Sequence, residues 1–332
     1  MKHVVIFIWL GWWLLAMPVN AKTLEDYVPV LPDVLAKKLP VDPAKGYLVS
    51  ELKPSVYLLT DGIWQSIFVT TGKGVILLDA PETLGPNIVK AVRETTEEPI
   101  KLLVYTHTHV DHIGGSKYLK DIHKLKILAS DSAAHFLKEK QDPRRLIPTK
   151  TFDDHYTIKM GHAKIKLEQH ANYHSNEGDL FVYMPHQKLL MVIDSLAPGY
   201  VPFMGFDLTS NFHEYLKLFD NILAYEFDVF VGGHLSHTGT RDDVLIAKDY
   251  AFDVYQTAKR IHQNTDLLAV MATAAERVGW DNKYLLFKVF LDKVINECTT
   301  EIENRWIDKL AGVDVWGASH CRTALVYVRW DD

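Results

Sequence analysis

The chain has 332 residues, 48% hydrophobic and 23% charged, with a formal net charge of −6. This is the composition of a globular protein able to bury a full core, as one large domain or a domain with an extension, and it excludes a disordered or low-complexity chain. A mildly acidic chain with no run of Lys and Arg is a poor clamp for phosphates, so nucleic acid is excluded as a partner and a small-molecule substrate is expected.

The chain opens on MKHVVIFIWLGWWLLAMPVNA, in which basic Lys2 precedes an unbroken apolar run from Val4 to Met17 and a Val19-Asn20-Ala21 ending. The run is shorter than the roughly 20 residues that span a bilayer, so 1–21 reads as a signal peptide cut after Ala21, giving a secreted, periplasmic protein with no stable membrane span. Residues 22–46 carry four prolines and little periodicity and read as an N-terminal arm wrapping the surface.

From Tyr47 the pattern changes. YLVSELKPSVYLLT, SIFVTT and GVILLDA are β-rich runs punctuated by Asp61-Gly62 and Gly72-Lys73-Gly74, which predicts antiparallel hairpins. GPNIVKAVRETTE follows as a helix and IKLLVYT as a buried strand. SKYLKDIHKL and DSAAHFLKEK read as helices on either side of the strand KILAS. HYTIKM, AKIKLEQH, DLFVYMP and KLLMVID make a second β-rich half. The helix FHEYLKLFDNILAY then leads to the strand FDVFVGG, and helical patterns dominate from Arg241 to about Asn296. The plan is therefore an α/β domain over 47–240 with two β-rich halves, and a mainly helical C-terminal extension over 241–332. Nothing in the pattern reports an oligomeric state.

The stretch HTHVDHIGG, starting at His107, follows a predicted strand directly. His107 and His109 are two apart, so on extended backbone both imidazoles face one side, as two ligands of one metal must. Asp111 and His112 can serve a second, adjacent ion. One loop cannot complete two sites, and the remaining ligands are sought in NYHSNEGDL, VIDSL and VGGHLSH.

His-x-His-x-Asp-His resembles the signature of the metallo-β-lactamase fold superfamily, over about residues 47–240. The resemblance implies a four-layer αβ/βα sandwich, with one metal on His107, His109 and His174 and another on Asp111, His112 and His234. Asp194 and a solvent hydroxide would bridge them. His170 and His237 are the rivals for His174 and His234. Imidazoles and carboxylates suit Zn2+, two per chain, and a shared carboxylate lets two cations sit about 3.5–4 Å apart. The implied chemistry is attack of metal-bound hydroxide on a carbonyl, with Asp194 and Asp111 as catalytic groups, Asp111 orienting the hydroxide or passing a proton to the leaving group. Asp79 sits where an acid supports the metal ligands rather than binding metal itself.

The loop IDSLAPGYVPFMGFD resembles that of N-acyl-homoserine lactonases and, less well, that of subclass B3 metallo-β-lactamases; in the second case Asp194 would not bridge. The tyrosine expected in lactonases is Ala197 here, with Tyr200 nearby. Tyr200, Phe203, Met204 and Phe206 are candidates for an apolar substrate wall, or plain packing residues. Lactone or ester hydrolysis is the leading expectation. β-Lactam hydrolysis, glyoxalase II-like thioester hydrolysis and a mononuclear iron persulfide dioxygenase are the alternatives. Cys298 and Cys321 form one disulfide in an exported protein or remain two buried thiols.

Overall fold

The computed structural model describes residues 22–170, 172–175, 178–235 and 237–332. The expected signal peptide, 1–21, lies outside them. Seven strands form one sheet in chain order: β1 (Leu48–Lys53), β2 (Val56–Thr60), β3 (Gln65–Thr70), β4 (Val75–Leu78), β5 (Ile100–Val104), β6 (Lys126–Ser130) and β7 (Lys150–Phe152). Antiparallel hairpins join β1 to β4, whereas β4 to β7 run parallel, with the helices Gly85–Thr95 and Asp131–Lys140 in the crossovers. The second sheet contains β8 (His155–Met160), β9 (Ala163–Gln169), β10 (Leu180–Met184), β11 (Leu189–Val192) and β12 (Val229–Val231), in the order β12-β11-β10-β9-β8. Only β11 and β12 pair in parallel there, connected through the helix Phe212–Leu223.

The strands read as continuous apolar runs because both faces are buried. On β4, Ile76 and Leu78 point between the sheets, where they meet Leu167, Val182 and Met191. Val75 and Leu77 point outward, against Ile88, Ala91 and Val92 of the helix Gly85–Thr95. On the far side of the second sheet, Phe181, Leu190 and Phe230 pack against Phe219, Ile222 and Tyr250. Each such side chain contributes about 1.5–3 kcal/mol. The layers are thus helix, sheet, sheet, helix, as expected.

The extension stays helical past Asn296, where the clear sequence pattern fades, with helices Arg241–Asn264, Leu267–Val278, Lys283–Trp306 and Val313–Trp330. Thr240 and Asp243 form a capping box at the first of these, and the side chains of Asp266 and Asn282 cap the next two. A Cys298–Cys321 disulfide ties the last two helices together. The arm lies over this extension: Lys22 pairs with Glu303 at 2.7 Å, and the Val28 amide donates to Asp314 Oδ2 at 2.8 Å. No helix among the described residues is long and apolar enough to cross a membrane.

One predicted helix is absent. SKYLKDIHKL forms only part of the 3-10 segment Gly114–Leu119. The Gly115 amide donates to Ala80 O at 2.8 Å, and a Cβ there would lie 2.3 Å from Pro81 O. Pinned to the end of β4, the backbone cannot wind into a regular helix.

Candidate metal centre

Strand polarity assembles the site at one edge of the sandwich. The carboxyl ends of β4, β5, β11 and β12 meet there with the start of β3 and the lead-in to β10, the arrangement in which α/β folds place ligands. His109 still has extended backbone, φ −67° and ψ 144°, and caps a single helical turn, Val110–Ile113. The alternation puts His107 and His109 on one side, and the turn swings Asp111 and His112 to the other. His174 arrives ahead of β10 in a loop held by the buried Asp179 carboxylate, which accepts the amides of Tyr173 and His174 at 3.0 and 2.9 Å. Asp194, left-handed at φ 55°, follows β11, and His234 follows β12.

Two clusters result, His107, His109, His174 and Asp194, and beside them Asp111, His112 and His234. Asp194 faces both. Its Oδ2 lies 3.0 Å from His174 Nε2 and 3.3 Å from His107 Nε2, while Oδ1 lies 2.8 Å from His234 Nε2 and 3.2 Å from His112 Nε2. One carboxylate oxygen therefore serves each cluster. His107 Nε2 and Asp194 Oδ1 are buried without a hydrogen-bond partner, a costly arrangement unless a cation takes them up. Seven nitrogen and oxygen donors with no thiolate form a set suited to a pair of divalent cations of the zinc type.

Supporting groups fix the tautomers. The Thr106 hydroxyl donates to Asp79 Oδ2 at 2.6 Å, which leaves it to accept from His107 Nδ1 at 3.1 Å and directs Nε2 into the cluster. Asp79 thus supports the site as expected; burial raises its carboxyl to about 7, against the two bonds from Thr106 and the nearby His112. His174 Nδ1 donates to the Asp207 carbonyl, freeing its Nε2. Burial depresses His107 to about 3 and His109 to about 4, the neutral form a metal needs. Burial also works against charge on His112 and His174, but Asp194 overrides it and raises both to about 9. A bound cation displaces those protons.

The rivals lie elsewhere. His170 faces Tyr225 and stacks on Phe181, and His237 belongs to neither cluster.

A cavity of about 570 Å³ opens on the cluster. Tyr200 and Phe203 line it, but Phe206, expected in the same wall, does not: it is fully buried against Phe212, Tyr215 and His320. Much of the remaining apolar wall comes from residues that sequence patterns did not single out, among them Val28 and Val30 of the arm, Ile63, Trp64, Val315 and Trp316. Beside the cluster histidines, its described lining holds four aspartates, Asp111, Asp194, Asp207 and Asp314, and no Lys or Arg. Trp64 Nε1 also donates to Asp111 Oδ2 at 3.3 Å. Gln65, another residue without a sequence signal, clamps the His234 loop: its amide donates to Leu235 O and to His237 O at 3.0 Å and accepts from Gly233 N at 3.3 Å.

A family model described as the metallo-beta-lactamase superfamily matches residues 59–246. Over 196 residues the chain is 24% identical to the 2,4-dinitroanisole O-demethylase subunit alpha of Nocardioides sp. (strain JS1661), a match spanning 56% of this chain and 57% of that relative. Among solved structures it resembles the metallo-beta-lactamase from Pontibacter korlensis, at TM-score 0.52, 18% identity and 61% and 97% coverage of the two chains. The metallo-beta-lactamase from Hirschia baltica is equally similar, at TM-score 0.52, 17% identity and 61% and 96% coverage. With more than half of its length matching the family model, the two-sheet sandwich in place and its His-x-His-x-Asp-His loop at the sandwich edge, the chain belongs to the metallo-beta-lactamase superfamily.

Proposed function

We propose that this chain is a zinc-dependent hydrolase that holds two cations and cleaves small, uncharged, apolar lactones or esters. The observation that carries the substrate class is the cavity lining, aromatic and aliphatic around the cluster histidines and aspartates, with no Lys or Arg among the described residues. A neutral acyl compound gains from burial there. A β-lactam bearing a carboxylate, or an anionic thioester carrier, would find no Lys or Arg among the described lining to pair with, only the two cations bound at the clusters.

Two divalent cations bound by the clusters would supply a water of lowered pKa and a Lewis acid for the carbonyl oxygen. The protein supplies the rest. Asp194 offers one oxygen to each cluster and holds them in register. Asp111, steadied by the Trp64 indole, is the carboxylate placed to take a proton from the attacking water and pass it to the departing alkoxide as the acyl C–O bond breaks and the acid forms. Tyr200, Phe203 and Trp316 exclude bulk water and seat the apolar part of the substrate. As part of the same reading, export leaves a periplasmic chain starting at Lys22, which N-terminal sequencing of the mature protein tests; retention of Met1 contradicts it.

The relative named as a 2,4-dinitroanisole O-demethylase subunit favours a second reading, hydrolysis of an activated aryl methyl ether, also small and uncharged. The test is kcat/KM of the zinc-loaded protein for a medium-chain lactone, a p-nitrophenyl ester, 2,4-dinitroanisole and a penicillin. Lactone or ester turnover at least 100-fold above the penicillin supports the proposal; a penicillin preference overturns it, and turnover of the ether alone moves the protein to the second reading.

A further inference from the structure

The residues 205–208 all have left-handed backbone, with φ of 64°, 61°, 54° and 60° for Gly205, Phe206, Asp207 and Leu208. Glycine adopts this conformation freely, but three side-chain-bearing residues in succession keep it only when their surroundings hold them. Those surroundings are the helix Val313–Trp330. The Gly205 amide donates to Ser319 Oγ at 3.0 Å, and the Phe203 carbonyl is 3.1 Å from His320 Nε2. The Phe206 and His320 rings lie against each other, centroids 4.4 Å apart, and Phe203 meets Trp316 edge-on at 4.7 Å.

His320 is fully buried, and its hydrogen bonds fix its tautomer. Its Nδ1 lies 2.7 Å from the Tyr250 hydroxyl. A carbonyl cannot donate, so Nε2 carries the proton toward Phe203 O, and Nδ1 accepts from Tyr250. The next residue, Cys321, is in the disulfide that anchors this helix to Lys283–Trp306. At the other end of the turn, the Asp207 carbonyl accepts from His174 Nδ1, and Asp207 Oδ1 accepts the Phe203 amide at 3.2 Å. A relaxed right-handed backbone would aim that carbonyl elsewhere.

We infer that His320, assisted by Ser319, is a positioning residue for the metal ligand His174, acting through the left-handed turn whose Asp207 carbonyl orients the imidazole. The helical extension is in this way a working part of the first cluster, His107, His109 and His174, and among the described residues has no comparable contact with the second. The inference rests on the two-cation reading of the site.

The test is chelator competition on the purified zinc-loaded protein, which resolves one dissociation constant per ion. His320→Phe keeps the ring packing and removes both hydrogen bonds; groups supporting a metal-bound histidine are typically worth about 10–100-fold in affinity, and a loss of that size is expected for one ion with the other unchanged. His320→Gln, which retains an N–H able to reach Phe203 O, restores most of it. Ser319→Ala, a half-buried and milder change, weakens the same ion by about threefold. In a His109→Ala background, where the first cluster is already broken, His320→Phe has no further effect on the remaining ion. Equal weakening of both ions, or of neither, overturns the inference while leaving the two-cation reading intact. Wild-type protein that fails to bind two cations overturns that reading and the inference with it.

Discussion

Replacing Gln65 probes how the second cluster is held. The side chain is buried and uses both ends of its amide on the segment that carries His234, donating to Leu235 O and His237 O and accepting from Gly233 N. Gln65→Leu keeps the size and leaves those backbone groups unpaired. With a net worth of about 1 kcal/mol per bond and a larger penalty for any group that stays buried and unpaired, the expected loss is about 3 kcal/mol. That is a large share of the roughly 5–15 kcal/mol that holds a domain folded. Gln65→Glu should lose more, because a carboxylate oxygen would face two carbonyls. Urea unfolding of the chelated protein, followed by tryptophan fluorescence, measures the stability, and zinc stoichiometry of the reloaded protein measures the site. A lowered midpoint together with loss of one ion is expected. A Gln65→Leu protein with an unchanged midpoint and full zinc would refute the reasoning.

Asp194→Asn removes the charge shared by the two clusters, so metal content and hydrolysis should fall together; a variant with normal zinc and turnover excludes the bridging role. Cys298→Ser opens a covalent link across 23 residues and should cost about 3 kcal/mol in urea stability, with an unchanged midpoint as the contrary result. Burial lowers His320 to about 4 from its ordinary 6.5, against the bonds to Phe203 and Pro202, so the folded protein keeps it neutral. A depressed histidine pKa gives stability that is full above about pH 7 and is lost as pH falls from 6.5 toward 4. Between pH 7 and pH 5 this group should account for about 2 kcal/mol, and the stability difference should shrink by that amount in chelated His320→Gln; an unchanged pH dependence contradicts the assignment.

Much of the site was legible in the chain because its ligands have local signatures. His107, His109, Asp111 and His112 share one loop, and Asp194 and His234 each follow an apolar strand. The strands themselves were readable as apolar runs bounded by glycine turns. Beyond Tyr200 and Phe203 the cavity was not legible, because its walls come from segments distant in sequence and without shared periodicity: Val28 from a proline-rich arm, Trp64 from a hairpin, Trp316 from the last helix. Phe206 misled for a related reason. Its neighbours Phe203 and Leu208 face the cavity, but the left-handed turn rotates Phe206 into the core, and no residue type short of a run of glycines announces such a turn. Gln65 and Thr106 act through backbone and neighbour contacts that pattern cannot show.

The most direct test of the account is elemental analysis of the purified mature protein, expressed with zinc and iron both available. Two zinc ions per chain are expected from two clusters joined by Asp194. One iron per chain, or no bound metal, would contradict the two-zinc hydrolase at its centre.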